Sequence, residues 1–279
     1  MASFLEVLFI LASLLAFLIF ARSVFGWVGR VEGYSLTVET TINDNPAVGV
    51  RFGFFLLAAA TSFVNLLEPS GGGLKQDFDI VAFYGLVSLL LLIVAREVND
   101  KLILYKLNND AEVIGKKNTS IAIVEGSSYL GTAFITSGAL SNVEAGIGAA
   151  LVWFAVGQCV LVVLDNIYSI AAPGIQDALA AQNIAAAISL GGFLVAGGMA
   201  LGAAIAGESY GWVQDSLDVG YFLAIWLLVI TVVQFLLNKI FLPGTSLRKE
   251  LLTDRNVAAG IIEAALFIIT TLFYIKVRS

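Results

Sequence analysis

The chain has 279 residues, 59% hydrophobic and 13% charged, and its mean hydropathy of +0.92 lies outside the range of soluble globular domains and inside that of polytopic membrane proteins. One cysteine, Cys159, and no histidine are present, which excludes an intrachain disulfide and removes the commonest metal ligand and general base. The net charge of −6 gives no support to a nucleic-acid partner, because cations and anions are sorted along the chain rather than pooled.

The first apolar stretch, Phe4 to Phe20, has Glu6 at its head and no Lys or Arg before it. A cleavable signal needs a basic leader and a small-residue cleavage site, so this stretch predicts a first transmembrane helix. Spans of roughly 17–23 apolar residues, the length that crosses hydrocarbon, are expected at 4–21, 47–66, 80–95, 119–138, 146–164, 184–206, 219–237 and 257–275. The fold class is therefore all-α, a polytopic membrane protein of eight transmembrane helices, with Gly71-Gly72-Gly73 as an outer turn. Connections after the first, third, fifth and seventh spans carry Arg22, Arg30, Arg96, Lys101, Lys106, Lys116, Lys117, Lys239, Arg248, Lys249 and Arg255. The opposite side has Lys75, Lys276 and Arg278 against Glu68, Asp77, Asp79, Glu144, Glu208, Asp215 and Asp218. Because cytoplasmic loops retain Lys and Arg, both termini are expected to face outward.

Internal repetition organises these elements. Asn45 and Asn183 stand 138 residues apart (183 − 45), as do Asn118 and Asn256 (256 − 118). At the same offset Lys101 meets Lys239, Glu112 meets Glu250, Glu125 meets Glu263, Gly53 meets Gly191 and Glu6 meets Glu144. The expected organisation is two four-helix halves, 1–140 and 141–279, each itself two helical pairs. Two spans per unit keep all copies in one orientation, a parallel rather than an inverted repeat. The second, fourth, sixth and eighth spans are then expected to line the centre, about a pseudo-two-fold axis along the membrane normal.

An acidic residue, five positions, an asparagine and a small, apolar helix start recur in ETTINDNPAVGV, EVIGKKNTSIAI, DALAAQNIAAAI and ELLTDRNVAAGI. This pattern, in two tandem copies, resembles the domain of unknown function 350 family, the YjfL-like bacterial inner-membrane proteins. The resemblance implies paired helices in a bacterial inner membrane and a biochemical activity that is not defined; in such a membrane the outward-facing termini read from the cations would be periplasmic. A genomic neighbourhood of phage-shock-type envelope-stress proteins in some relatives suggests a peripheral partner.

Each repeated asparagine, Asn45, Asn118, Asn183 and Asn256, precedes a helix entering from the cation-rich side. Asparagine is a favoured N-cap, and Pro46 occupies the first helical position where proline belongs; capping alone accounts for all four. The acids six places earlier, Glu39, Glu112, Asp177 and Glu250, fit solvated charges of short amphipathic segments in the headgroup layer.

Glu125 and Glu263, seven residues past their caps, fall roughly 10 Å inside the membrane at 1.5 Å per residue. Arg51 lies at nearly the same depth, and its counterpart is Ser189. Ionisable groups at such depth are costly and face a bundle interior or an aqueous cavity. Arg51, Glu125 and Glu263 are thus the candidate intramembrane site. The competing readings are a purely structural Arg–Glu pair and snorkelling of Arg51 to the headgroups. Asp165 with Asn166 is expected at an interface, and Gly49-Val-Arg-Phe-Gly53 and Gly198-Met-Ala-Leu-Gly202 are small-residue spacings suited to close helix approach. Trp27 and Trp212 read as interfacial anchors.

No phosphate loop, zinc motif, cofactor-binding motif or nucleophile with a base occurs in the sequence, so no enzymatic activity, cofactor or metal is expected. Two functions remain: passage of a proton or small cation through the charged layer, and a non-transporting scaffold. In the second, the basic loops Lys101–Lys117 and Lys239–Arg255 recruit a peripheral protein or anionic lipid, at about 1 kcal/mol per cation near the surface. The partners expected are the bilayer, such a peripheral cytoplasmic protein, and a second copy of the chain.

Overall fold

The computed structural model describes residues 4–67, 74–141, 146–207, 209–241 and 244–278. Gly71 to Gly73, Glu68, Glu144 and Glu208 lie outside the described residues, as does the side chain of Glu6. The described residues are helical, with no strand among them. In chain order the helices are α1 (Phe4–Val31), α2 (Leu36–Thr41), α3 (Pro46–Val64), α4 (Leu74–Leu102), α5 (Thr119–Leu140), α6 (Gly146–Ala171), α7 (Ile175–Ala180), α8 (Ile184–Ile205), α9 (Trp212–Phe241) and α10 (Val257–Arg278). Seven of them, α1, α3, α4, α6, α8, α9 and α10, are long and apolar enough to cross a membrane, and the protein is a multi-pass membrane protein.

The capped helices form a row. α3 packs on α5, α5 on α8 and α8 on α10, while α1, α4, α6 and α9 cover the row from its flanks. The expected central lining is thus a layer whose middle is α5 and α8. In α8, 89% of the apolar window is buried by protein, against 11% in α1, whose Leu11, Leu15 and Ile19 lie exposed along one side. Glycine makes the middle contact close. A Cβ on Gly198 would stand 2.3 Å from the Gly131 backbone, and one on Gly202 would stand 2.3 Å from the Phe134 carbonyl oxygen. Gly49 and Gly53 are different: nothing lies within 4 Å of their added Cβ positions, so that spacing faces outward within this chain. Trp27 and Trp212 are exposed, and Trp212 stacks on Trp153 at 5.9 Å.

Each capped helix is entered through the same device. The residue before the asparagine is left-handed, with φ 45° at Asp44, 52° at Lys117, 57° at Gln182 and 52° at Arg255, a conformation costing roughly 1–2 kcal/mol in a non-glycine residue. The turn is held by the asparagine N–H, which bonds the carbonyl six residues back: Asn45 to Glu39 at 2.9 Å, Asn118 to Glu112 at 2.9 Å and Asn256 to Glu250 at 2.8 Å. Two of these turns, Ala111–Gly115 and Lys249–Thr253, are π-helical. Before Asn183 the turn closes instead on Ala178 at 3.0 Å, one residue tighter, and Asp177 is left exposed.

Candidate functional site

All four asparagines cap their helices. Asn118 Oδ1 accepts from the N–H groups of Ser120 at 3.1 Å and Ile121 at 3.4 Å, and Asn45, Asn183 and Asn256 accept likewise from the starts of α3, α8 and α10. The amide nitrogen has a second task that spacing did not reveal. Asn45 Nδ2 donates to the Val113 carbonyl at 3.1 Å, Asn118 to Leu179 at 3.0 Å and Asn183 to Leu251 at 2.8 Å. These three caps therefore tie their helices to the turn before the next helix of the row.

The acids brace the caps. Glu39, Glu112 and Glu250 accept from Asn45, Asn118 and Asn256 at 3.0, 3.0 and 2.9 Å. Glu39 and Glu112 are buried rather than solvated. For Glu112, burial works against charge, but hydrogen bonds from Lys116 and Asn118 outweigh it and hold the carboxyl below its ordinary range. The Asn256 amide does the same for Glu250. Asp177 has no such part, because the shorter turn moves it out of reach of Asn183.

Arg51 and Glu125 meet. Nε of Arg51 lies 2.6 Å from Glu125 Oε2, with both side chains fully buried, so Arg51 does not snorkel. Its Nη1 lies 2.8 Å from Asp110 Oδ1, and the Tyr129 hydroxyl donates to Glu125 Oε1. A second arginine completes the cluster. Arg96, expected in a cytoplasmic connection, stands inside α4 at 2% exposure, because that helix continues past the apolar run to Leu102. Its Nη2 lies 2.7 Å from Glu32 and 3.8 Å from Asp110, and its Nε lies 3.9 Å from Glu125 and 4.0 Å from Asp100. Two guanidinium groups thus face four carboxyls. Burial pushes the Glu32 carboxyl up, with Arg96 only partly offsetting it. The Asp110 side chain is 40% exposed, so one end of the cluster reaches the surface.

From the other end a column of hydroxyls runs along α5. Glu125, Tyr129, Thr132 and Thr136 are spaced 4, 3 and 4 residues apart and therefore share one helical face. Thr132 receives a hydrogen bond from Asn99 of α4 and donates to Gln158 of α6, both at 3.3 Å, and Thr136 donates to the Thr132 carbonyl at 2.9 Å.

Glu263 lies in a different place, separated from Glu125 by the thickness of α8. It accepts from Ser189 of α8 and from Gln234 Nε2 of α9 at 2.7 Å. Ser189 and Gln234 stand 138 residues after Arg51 and Arg96 (189 − 51 and 234 − 96). That coincidence is the signal by which Arg96 could have been found in the sequence; Asp110, Glu32 and Asp100 had none. Asp165, expected at an interface, is buried at 1% exposure.

The row of capped helices and its internal ion network define a multi-pass helical membrane protein with a buried, acid-rich charge cluster. The chain belongs to the Domain of Unknown Function (DUF350) family, whose model matches residues 1–140 and again 142–276, as two tandem copies. No curated protein and no solved structure matches it.

Proposed function

We propose that this protein is a non-enzymatic passage for protons or a small cation in a bacterial inner membrane, with Arg51, Glu125 and the surrounding acids as its site. In this reading α5 is an eighth span. Its hydroxyls and Glu125 lower its hydropathy, and α3, α4, α6 and α8 enclose it, so lipid need not solvate it. The two family copies form parallel four-helix halves with both termini on the periplasmic side. Contacts recurring at the 138-residue offset support the parallel halves: Asn45 to Val113 and Asn183 to Leu251, Lys117 to the Asn43 carbonyl and Arg255 to the Ala181 carbonyl.

The observation that carries the reading is four carboxyls against two guanidinium groups in one buried network, open at Asp110 and continued inward by the hydroxyl column. Guanidinium groups fully matched by acids would serve structure alone; a surplus of acids takes up protons or cations. Buried Arg96 Nη1, Gln158 Nε2 and Asn99 Oδ1 have no hydrogen-bond partner among the described residues, and groups of this kind are satisfied by ordered water, which also carries protons. Recruitment of an envelope-stress partner through the basic loops has less to stand on. Lys116, Lys117, Arg248, Lys249 and Arg255 are already engaged within the chain.

The test is proton and cation flux into proteoliposomes of purified protein, read by trapped pH- and cation-sensitive dyes. Glu125→Gln should abolish flux while keeping the hydrogen bond to Tyr129. Unchanged flux in that variant, or a wild-type protein that conducts nothing, sinks the proposal.

A further inference from the structure

The second family copy keeps the carboxyl of the first but neither of its cations. At the positions of Arg51 and Arg96 stand Ser189 and Gln234, and both still point at the carboxyl: Ser189 Oγ on Oε2 and Gln234 Nε2 on Oε1 of Glu263. Ser189 is hydrogen-bonded in turn to the Tyr168 hydroxyl of α6, where either oxygen can donate. Glu263 is 6% exposed, and Ser189 is fully buried. A negative charge held there without a cation is costly, and neutral hydroxyl and amide partners can accommodate a carboxylic acid as readily as a carboxylate.

We propose that Glu263 is a proton-binding site separate from the ion cluster, loaded through Tyr168 and Ser189. Hydronium gives a proton to the Tyr168 oxygen, Tyr168 passes its own hydrogen to Ser189 Oγ, and Ser189 passes its own to Glu263 Oε2. Each hydroxyl oxygen forms one O–H bond and breaks one, so the net change is one proton on Glu263 and one water released. A metal ion is disfavoured by Gln234, which presents an N–H donor to Oε1 where a metal would need a lone pair. Around the carboxyl, α8 brings Ser189, α9 brings Gln234 and α6 brings Tyr168 behind Ser189, and no Lys or Arg lies against it among the described residues. The turn Lys249–Thr253, which also packs on α10, has Lys249 paired with Asp254 and Glu250 bound by Asn256. Asp165, three residues before Tyr168 on α6, is the remaining acid of this region, and neither of its oxygens has a hydrogen-bond partner. The inference does not require ion passage: unchanged flux in Glu125→Gln, or a wild-type protein that conducts nothing, leaves it standing.

Infrared difference spectra of the full-length protein in lipid, taken between alkaline and neutral pH, where ordinary carboxyls stay ionised, test it through the C=O band of a protonated buried carboxyl, with Glu32→Gln as the control for the other carboxyl that burial pushes up. The band should be present in the wild type and persist in Glu125→Gln and Asp165→Asn. It should disappear in Glu263→Gln and in Gln234→Arg, where a guanidinium again pairs with the carboxylate. Ser189→Ala and Tyr168→Phe should shift its frequency, which keeps the test decisive if Glu263→Gln does not fold. A band that survives Glu263→Gln, vanishes in Asp165→Asn, stays unmoved in Ser189→Ala, or is removed by sodium or lithium at constant pH overturns the proposal.

Discussion

At the scale of residues, Arg51 decides how costly the cluster is to disturb. Its side chain is wholly buried between Glu125 and Asp110, so removing it leaves the buried Glu125 charge with only the looser contact to Arg96 at 3.9 Å, whereas removing both partners of the pair leaves little uncompensated. Arg51→Met should therefore destabilise the protein by about 3–5 kcal/mol, and Glu125→Leu added to it should recover most of that loss, since Asp110 can turn to solvent. Denaturant titration in detergent checks both, and equal instability of the single and double variants would contradict the pairing. Arg51 and Glu125 could be expected together from their matched depth after Asn45 and Asn118. Arg96 could be found only through the repeat that sets it opposite Gln234, because a cation just beyond an apolar run looks like a loop residue until the helix is seen to continue beneath it. Glu32 and Asp110 come from segments whose approach to α3 and α4 is a tertiary fact.

Among the elements, the α5–α8 contact sets the tolerance of the row. Gly131 and Gly198 bring backbone against backbone, so an added side chain meets atoms that cannot rotate away. Gly198→Leu should lower stability by about 1–3 kcal/mol or more, measured as a fall in thermal midpoint. Gly53→Leu, on the open face of α3, should leave the monomer's midpoint unchanged. A reversed order would mean that the row is packed differently. The sequence shows both glycine spacings equally; which one is occupied depends on position in the row, because the Gly49–Gly53 face of α3 has no further helix to meet.

For the whole molecule, the eight apolar stretches, their helical nature and the 138-residue repeat follow from hydropathy, caps and spacing, which are local properties. The membrane status of α5 does not. With Glu125 and a face of hydroxyls, α5 gains too little from lipid alone and depends on its neighbours. A segment covering 115–141 should fail to integrate when expressed by itself. In the full chain, with the exposed Cys159 replaced, cysteines at the exposed Lys116 and Ser141 should label from opposite sides; labelling from one side would remove the eighth span. Sequence alone determined a helical membrane protein in two tandem copies, with an asparagine cap opening each repeated helix, because periodic burial and capping are written residue by residue. Only the tertiary structure decided that the capped helices form a row instead of lining a central axis, that the caps of α3, α5 and α8 reach across to the next turn, and that Glu125 is paired with arginine while Glu263 is not. Those outcomes depend on which side chains converge when helices far apart in the chain come into contact, and on the low dielectric that makes each unmatched charge there costly.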